Sequence, residues 1–280
     1  MLLLIDAGNT RIKWALAAPA APAGQWLASG AVAHADSSLL ADQWRQHLIP
    51  MPIDYVLVSN VAGPEVRAAL IAQLAVLSAR AGPLLEVRWF ASVASLAGVS
   101  NGYHDPASLG CDRFAALIGA WTLHPHQAAI VATCGTATTV DALDAQGRFI
   151  GGMILPGLGL MAASLRERAA QLAQVPEATE APPTGAAEAS LFADNTRDAM
   201  HGGCLLAQAG AIERAVAAHG GAHCLLSGGA AALVAPYLAI PATSVDNLVL
   251  IGLHAVARMP SGAFAFAPSS TVFSGASDSC

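Results

Sequence analysis

Short apolar runs separated by small and polar residues recur along the chain, and their lengths predict strands and helices in a definite order. Three apolar segments in succession near residue 1 are typical of strands joined by hairpins. A helix, a strand, a second helix and another strand follow, and the second helix has Pro64 in its first turn and leucines on one face. The predicted elements are Met1–Ile5, Lys13–Leu16, Trp26–Val32, Ser38–Leu48, Tyr55–Ser59, the helix from Pro64, and Leu85–Phe90.

The second half of the chain repeats this order of elements. Three strands are again followed by helices and a strand, and Asp144–Gly147 supplies turn residues between the second and third strands. The repeat predicts an α/β fold made of two similar domains. The predicted elements are Ala128–Val131, Val140–Leu143, Phe149–Ile154, Leu158–Leu172, a helix after Thr196, His223–Leu226 and Leu248–Arg258.

Composition and charge exclude several classes of protein. The chain has 13 basic and 19 acidic residues and a net charge of −6, which argues against a nucleic-acid-binding protein. Hydrophobic residues make up 55%, which excludes disorder for most of the length. The apolar runs are shorter than the ~18–20 residues of a membrane-spanning helix, and no secretory signal is recognisable. Five cysteines without a C-x-x-C pair predict free thiols. We therefore expect a cytoplasmic protein.

A polar turn directly after the first strand is the first candidate for chemistry. Gly8 permits a positive φ and a close approach of backbone N–H groups to an anion, and Thr10 adds a hydroxyl donor. The carboxylate of Asp6 is placed where it could hold a magnesium ion through water, and Lys13 is the only lysine of the chain. A tight hairpin with an Asx-turn is the alternative interpretation.

Two further glycine turns follow strands of the second half. Gly135–Thr139 occupies the position equivalent to the first turn, so the two turns could close on a phosphate chain from opposite sides. Ser227–Gly229 lies between a strand and a helix and would suit an adenosine against the backbone. Gly157–Ala162 matches the G-x-G-x-x-A dinucleotide pattern, but Glu177, the acidic residue with the required spacing, falls in a Pro-rich loop rather than at a strand end.

An Asp-Arg pair precedes an apolar helical stretch in the middle of the chain. Asp112 could accept or orient a hydroxyl proton, and Arg113 could bind an anionic group. A helix cap with a surface charge is an equally good interpretation of the pair.

Taken in order, these segments closely resemble the type III pantothenate kinases over residues 1 to about 258. The segments that carry the resemblance are Asp6–Thr10, Gly110–Arg113, Gly135–Asp141, Gly151–Gly157, Asn195–Thr196 and Ser227–Gly229. The resemblance implies a duplicated ribonuclease-H-like (actin-like ATPase) fold, with two similar domains and a cleft between them. We place these domains at residues 1–115 and 116–260, followed by a flexible tail at 261–280. A homodimer is implied as well.

The resemblance also implies an activity and the residues responsible for it. The chain would transfer the γ-phosphoryl group of ATP to pantothenate, with Asp112 as the catalytic proton acceptor and Asp6 oriented toward Mg²⁺. The implied ATP-binding residues are Asp6, Ala7, Gly8, Asn9, Thr10, Arg11, Ile12, Lys13 and Thr136. The implied pantothenate-binding residues are Tyr103, Gly110, Cys111, Asp112, Arg113 and Thr196.

One departure from the family pattern concerns a monovalent cation. The second phosphate motif of the family usually begins with an Asp that helps to coordinate K⁺, and here that position is Thr133. Loss of a carboxylate should weaken such a site, so the need for K⁺ or NH₄⁺ stays open. Asp194 is a second departure, because the family more often has a basic residue before Asn195–Thr196. A regulatory protein on this fold, or a kinase of another small hydroxylated acid or sugar, is the alternative function.

Overall fold

The computed structural model of the chain describes residues 1–48, 53–81, 85–168, 192–259 and 271–273, which divide into two units. Unit 1 consists of Met1–Pro125 and Leu248–Cys280, and unit 2 consists of His126–Asn247. Within the described residues, no helix combines the length and apolar character that crossing a membrane requires.

Unit 1 contains a mixed sheet covered by helices. Its strands are β1 (Leu2–Ala7), β2 (Arg11–Ala17), β3 (Ala28–Ala33), β4 (Tyr55–Asn60), β5 (Leu85–Trp89), β6 (Ser95–Leu96), β7 (Val99–Asn101) and β13 (Thr271–Phe273). Its helices are α1 (Leu40–Leu48), α2 (Pro64–Ala81), α3 (Cys111–Leu123) and α7 (Leu248–Ala257). Six of these eight strands form the mixed sheet, in the order β13-β5-β4-β1-β2-β3. The first three strands pair antiparallel, and β1, β4 and β5 pair parallel.

The core of unit 1 forms around β1, which is buried along its whole length. A strand covered on both faces is expected to be a continuous apolar run, and Leu2–Ile5 is such a run. The predicted apolar face of α2 is confirmed, because Leu70, Leu74 and Leu77 are buried in the same cluster as β1. The predicted position of Asp6 at the end of a buried strand therefore follows from the local sequence.

Unit 2 repeats the topology of unit 1. Its strands are β8 (Ala129–Cys134), β9 (Ala137–Leu143), β10 (Arg148–Pro156), β11 (His223–Ser227) and β12 (Ala242–Ser244), and its helices are α4 (Leu158–Arg168), α5 (Thr196–Ala218) and α6 (Ala231–Val234). The strand order β12-β11-β8-β9-β10 matches β5-β4-β1-β2-β3, with the same parallel and antiparallel pairings. The predicted duplication of the fold is thus confirmed.

The division of the chain differs from the expected domain boundaries. The boundary expected at 115/116 falls inside α3, and the chain divides instead after Pro125. Helix α7, expected in the second domain, belongs to unit 1, where it packs closely against α3. Of the expected tail at 261–280, Thr271–Phe273 forms strand β13 beside β5, and the rest lies outside the described residues, as does the Pro-rich loop after Glu177.

Two glycines allow α3 and α7 to approach each other closely. A Cβ atom on Gly252 of α7 would clash with the carbonyl oxygen of Ala115, and one on Gly119 of α3 would clash with the carbonyl oxygen of Leu248. Both obstacles are backbone atoms of helices, which cannot give way as the end of a flexible side chain can. Since Asp112 lies in the first turn of α3, this contact also fixes the start of that helix.

We expect Gly252→Ala to lower the free energy of unfolding by about 1–3 kcal/mol, because the added methyl group must push two helices apart. Gly210→Ala is the matched control, since Gly210 is exposed on α5 with no atom near its would-be Cβ. That change should stabilise the protein by up to about 1 kcal/mol through helix propensity. Urea unfolding of the two variants checks both signs, and a stabilised Gly252→Ala would contradict the close packing.

Candidate active site

The carboxyl group of Asp6 is buried at the carboxyl end of β1. It lies in register between Lys13 on β2 and Ser59 on β4. Among the described residues, its Oδ1 atom has no hydrogen-bond partner. Burial raises the pKa of Asp6 to about 7; Lys13 opposes this rise, and the charge of Asp112 adds to it. A buried carboxylate with an open oxygen is suited to holding a cation.

Asp112 is brought near Asp6 by the start of α3, although the two are far apart in sequence. Its Oδ1 atom accepts a hydrogen bond of 2.8 Å from the backbone N–H of Arg113. Gly110 caps the helix, and a Cβ atom there would lie only 2.7 Å from Oδ1 of Asp112. Burial raises the pKa of Asp112. The hydrogen bond from the Arg113 N–H and the positive charge of Arg113 lower it, but burial has the larger effect. Unit 1 therefore holds two carboxyl groups whose pKa values are raised by burial, and the charge of Asp112 adds to the rise at Asp6.

Cys111 ties the start of α3 to the end of β4. Its Sγ atom lies 3.4 Å from Oγ of Ser59 and donates to the carbonyl oxygen of Asn60 at 3.7 Å. Burial raises the pKa of the Cys111 thiol, so the sulfur stays protonated at neutral pH. The sulfur is therefore a packing and hydrogen-bonding group here rather than a nucleophile.

Arg113 and Tyr103, both expected to contact the substrate, lie together. The Arg113 Nη1 atom donates to the Tyr103 hydroxyl at 3.3 Å, and the guanidinium carbon lies 5.8 Å from the centre of the tyrosine ring. The Arg113 side chain is buried and Tyr103 is half-buried. The loop before α3 and the first turn of α3 thus form one polar cluster with Asp112.

The turn between β1 and β2 exposes its polar residues. The Gly8 N–H donates to the carbonyl oxygen of Arg11 at 3.1 Å, and Asn9, Thr10 and Arg11 are exposed. Ala7 and Ile12 are buried in the core, so only their backbone atoms could contact a nucleotide.

Gly8 does not use the positive φ that a glycine permits, because it is not among the residues in that conformation. A Cβ atom there would make only an ordinary contact of 3.6 Å with the Arg11 carbonyl oxygen. The turn lies between the paired residues Ala7 and Ile12, and it does not depend on a positive φ at Gly8.

His34, which no sequence motif indicates, supports this turn. Its Nε2–H group donates to the Gly8 carbonyl oxygen at 2.8 Å. The pairing of β2 with β3 places Arg11 opposite Ala33, and His34 follows directly. The only available signal was therefore the register of a strand pair, which the sequence motif around Gly8 does not contain.

Three chain segments meet at the hairpin between β8 and β9 in unit 2. Thr136 is exposed at the tip, and its carbonyl oxygen accepts from the Gly157 N–H at 3.0 Å. Gly228 has φ +93° and packs against the backbone of Cys134, where a Cβ atom would clash. The glycine turns predicted at Gly135–Thr136 and Ser227–Gly229 therefore lie side by side.

The G-x-G-x-x-A segment has a structural role at the same place. Gly157 needs to lack a side chain because the carbonyl oxygens of Gly135 and Thr136 occupy the space of a Cβ atom. Glu177, on which the dinucleotide interpretation depended, lies outside the described residues. The first glycine of the pattern is thus explained by contact with the hairpin.

Thr133 lies within a row of hydroxyl groups at the end of β8. It is in register with Thr139 on β9 and Ser227 on β11, so the three side chains share one face of the sheet. The Thr139 Oγ1 atom is buried without a hydrogen-bond partner in the described part of the chain. Neutral oxygens could bind a monovalent cation here, more weakly than a carboxylate would.

Thr196 begins α5 in unit 2. The Asn195 side chain caps the helix by accepting from the Asp198 N–H at 3.0 Å. Asp194, Asn195 and Thr196 line an open depression of about 510 Å³ together with Leu165 and Met200. Tyr103, Asp112 and Arg113 belong to unit 1, so the residues expected to bind pantothenate come from both units.

Comparison with known proteins identifies one family. The family model for type III pantothenate kinases matches residues 2–218. The type III pantothenate kinase of Janthinobacterium sp. (strain Marseille) is 55% identical over 267 residues, which cover 92% of this chain and 97% of the relative. That of Herminiimonas arsenicoxydans is 52% identical over 266 residues, with the same coverage.

Solved structures share the fold at low identity. A structure described as a 2-dehydro-3-deoxygalactonokinase from Sinorhizobium meliloti has a TM-score of 0.57 and 16% identity, covering 92% of this chain and 98% of that one. The activator of 2-hydroxyisocaproyl-CoA dehydratase from Clostridium difficile, with bound ADPNP, has a TM-score of 0.50 and 14% identity, covering 92% of each chain. These likenesses establish the fold alone.

The pKa of Asp6 predicts an unusual pH dependence of stability. Folding raises this pKa from 3.8 to about 7, so the contribution of the group to stability is complete below about pH 4 and is lost as the pH rises through 7. Asp6→Asn cannot ionise, and we expect it to raise Tm more at pH 8 than at pH 5 in buffer without divalent cations. Asp42→Asn, at an exposed position, is the control. Equal Tm shifts of Asp6→Asn at both pH values would contradict the buried carboxyl group.

Proposed function

The chain belongs to the type III pantothenate kinase family, and we propose that it transfers the γ-phosphoryl group of ATP to the primary hydroxyl of pantothenate. The product is 4'-phosphopantothenate, in the first step of coenzyme A biosynthesis. The observation that carries the assignment to this site is the presence in unit 1 of two carboxyl groups, Asp6 and Asp112, each with a pKa raised by burial. Phosphoryl transfer has a loose transition state, so these residues act by positioning and by charge.

Asp6 fits the role of a magnesium-binding residue. Its buried Oδ1 atom has no partner among the described residues, and a divalent cation would hold its carboxyl group ionised at neutral pH. Within the described residues no cluster of three or more His, Cys, Asp or Glu side chains forms a complete metal cage. Mg²⁺ does not require such a cage, because it usually keeps several waters and takes phosphate oxygens as ligands. When bound, Mg²⁺ would neutralise charge on the ATP phosphates.

The two hairpin turns are proposed to bind the ATP phosphates. In unit 1, Asn9, Thr10 and Arg11 present exposed polar groups beyond β1, and Lys13 supplies a positive charge in register with Asp6. In unit 2, Thr136 presents its hydroxyl at the exposed tip of the β8–β9 hairpin.

Asp112 is proposed to orient the hydroxyl of pantothenate and to accept its proton. A raised pKa makes a carboxylate a stronger base near neutral pH. Arg113, held by the Tyr103 hydroxyl, would bind the carboxylate of pantothenate, and Thr196 would contact the same substrate. Gly110 would line the site through its backbone, and Cys111 would line it through its thiol. Both residues lie at the start of α3.

We propose that a monovalent cation such as K⁺ or NH₄⁺ has only a weak effect on this enzyme. The position of the usual carboxylate is Thr133, and its neighbours in register, Thr139 and Ser227, are also neutral hydroxyl residues. Hard cations bind charged oxygen ligands more strongly than neutral ones.

A homodimer and a cytoplasmic location complete the proposal. Large apolar side chains are exposed on β10 and on α4, which follows it in the chain, and burial against a second copy would remove them from water. They are Ile150, Met153, Ile154, Leu160 and Leu165. The four described cysteines are free thiols, which agrees with a reducing compartment.

A coupled ADP-release assay tests the function directly. The acceptors are pantothenate, acetate, glycerol and simple sugars, each with Mg²⁺ and with or without K⁺ or NH₄⁺. We expect turnover with pantothenate and at most a small stimulation by the monovalent cation. Absence of turnover with pantothenate under every condition would require the assignment to be withdrawn, and turnover with a sugar alone would favour the alternative kinase.

We expect Asp112→Asn to keep the fold and to lower kcat by about 10²–10⁴-fold, because the amide cannot accept the proton of the hydroxyl. Circular dichroism checks the fold, and the same assay measures kcat. Asp42→Asn serves as the control with an equal change of charge at an exposed position. A kcat for Asp112→Asn similar to that of the unmodified enzyme would remove Asp112 from the mechanism.

A further inference from the structure

Gln208 is a fully buried polar residue in the apolar core of unit 2. It lies on α5, where Leu205, Ala209 and Ile212 around it are buried as well. Burial of an amide carries a free-energy cost unless its donors and acceptor are hydrogen-bonded. A buried amide at this position is therefore expected to have hydrogen-bond partners for both its nitrogen and its oxygen.

The amide makes its hydrogen bonds on one side only. The Nε2 atom donates to the carbonyl oxygen of Pro156 at 2.6 Å and approaches Sδ of Met161 at 3.2 Å. The Oε1 atom is buried and has no partner in the part of the chain that the structure describes. An apolar side chain would avoid this unsatisfied oxygen, so the amide is a poor choice for stability alone.

The carbonyl group that Gln208 binds belongs to the segment that supports the β8–β9 hairpin. Pro156 pairs with Ala137, the first residue of β9, which directly follows Thr136 at the tip of the hairpin. The next residue, Gly157, donates its N–H to the Thr136 carbonyl oxygen at 3.0 Å and lies against the Gly135 carbonyl oxygen. A continuous path of short contacts thus runs from the Gln208 amide to the residues at the tip of the hairpin.

We propose that Gln208 is a positioning residue that fixes the Gly135–Thr136 hairpin for binding ATP. The proposal rests on the proposed function of that hairpin. Gln208 does not touch the nucleotide; it holds Pro156–Gly157 in place, and these residues in turn hold the backbone of Thr136. A rigid hairpin loses less conformational entropy when ATP binds, so the amide improves nucleotide affinity at the expense of an unsatisfied buried oxygen.

Gln208→Leu provides the test, because leucine is apolar, similar in size and favourable in a helix. We expect Tm to stay the same or rise, whereas KM for ATP rises about three- to tenfold, the effect of one lost hydrogen bond. KM for pantothenate should stay unchanged. Gln208→Met, which also lacks the amide, is the second variant and should behave in the same way.

Two further variants make the result interpretable. Ile212→Val removes a methyl group from the same core one turn along α5, and we expect a lower Tm with an unchanged KM for ATP. Gly157→Ala displaces the hairpin directly and should raise KM for ATP more than Gln208→Leu does.

An unchanged KM for ATP in Gln208→Leu, or loss of folding in both Gln208 variants, would overturn the inference, since the amide would then serve stability only. If Gly157→Ala also left KM for ATP unchanged, the ATP-binding role of the hairpin would fail instead. Calorimetric titration with ATP alone measures affinity without an acceptor. The inference is therefore testable even if pantothenate gives no turnover, an outcome that would contradict only the proposed function.

Discussion

The burial of the Asp6 carboxyl group is the constraint on which the rest of unit 1 depends. A fully buried strand delivers this group to a place where water cannot solvate it, and burial raises its pKa to about 7. Such a group is stable as an anion only beside a positive charge, which Lys13 supplies in part and a bound cation would complete. The start of α3 then adds Asp112, whose charge raises the pKa of Asp6 further. Both carboxyl groups therefore have raised pKa values, and both lie in unit 1.

Unit 2 differs from unit 1, because the hairpin between β8 and β9 is held by backbone contacts rather than by charged side chains. Gly157 and Gly228 let two chain segments pack directly against the β8–β9 hairpin, where side chains would not fit. The buried amide of Gln208 holds one of these segments from the core. The same strand order therefore supports a charged site in one unit and a tightly packed backbone turn in the other.

Much of the fold could be predicted from local sequence. The continuous apolar run of β1, the leucine face of α2 and the repeated order of elements all follow from periodicity, which acts over a few residues. The short strands β6, β7 and β12 were missed because two or three residues carry no periodic signal. The assignment of α7 to the second domain also failed. Its packing against α3 joins residues that are more than 120 positions apart, and local sequence carries no signal of such a contact.

The sequence by itself determined the order of the segments that carry chemistry and the family to which they belong, because strand, turn and helix signals are local. It placed Asp6, Asp112 and the two glycine turns at the ends of the correct elements. Only the tertiary structure decided that His34 supports the Gly8 turn, that Gln208 holds Pro156, and that the charge of Asp112 raises the pKa of Asp6. Hydrogen bonds between distant segments and the loss of water around a carboxyl group depend on which elements pack together, and residue type alone does not encode that packing.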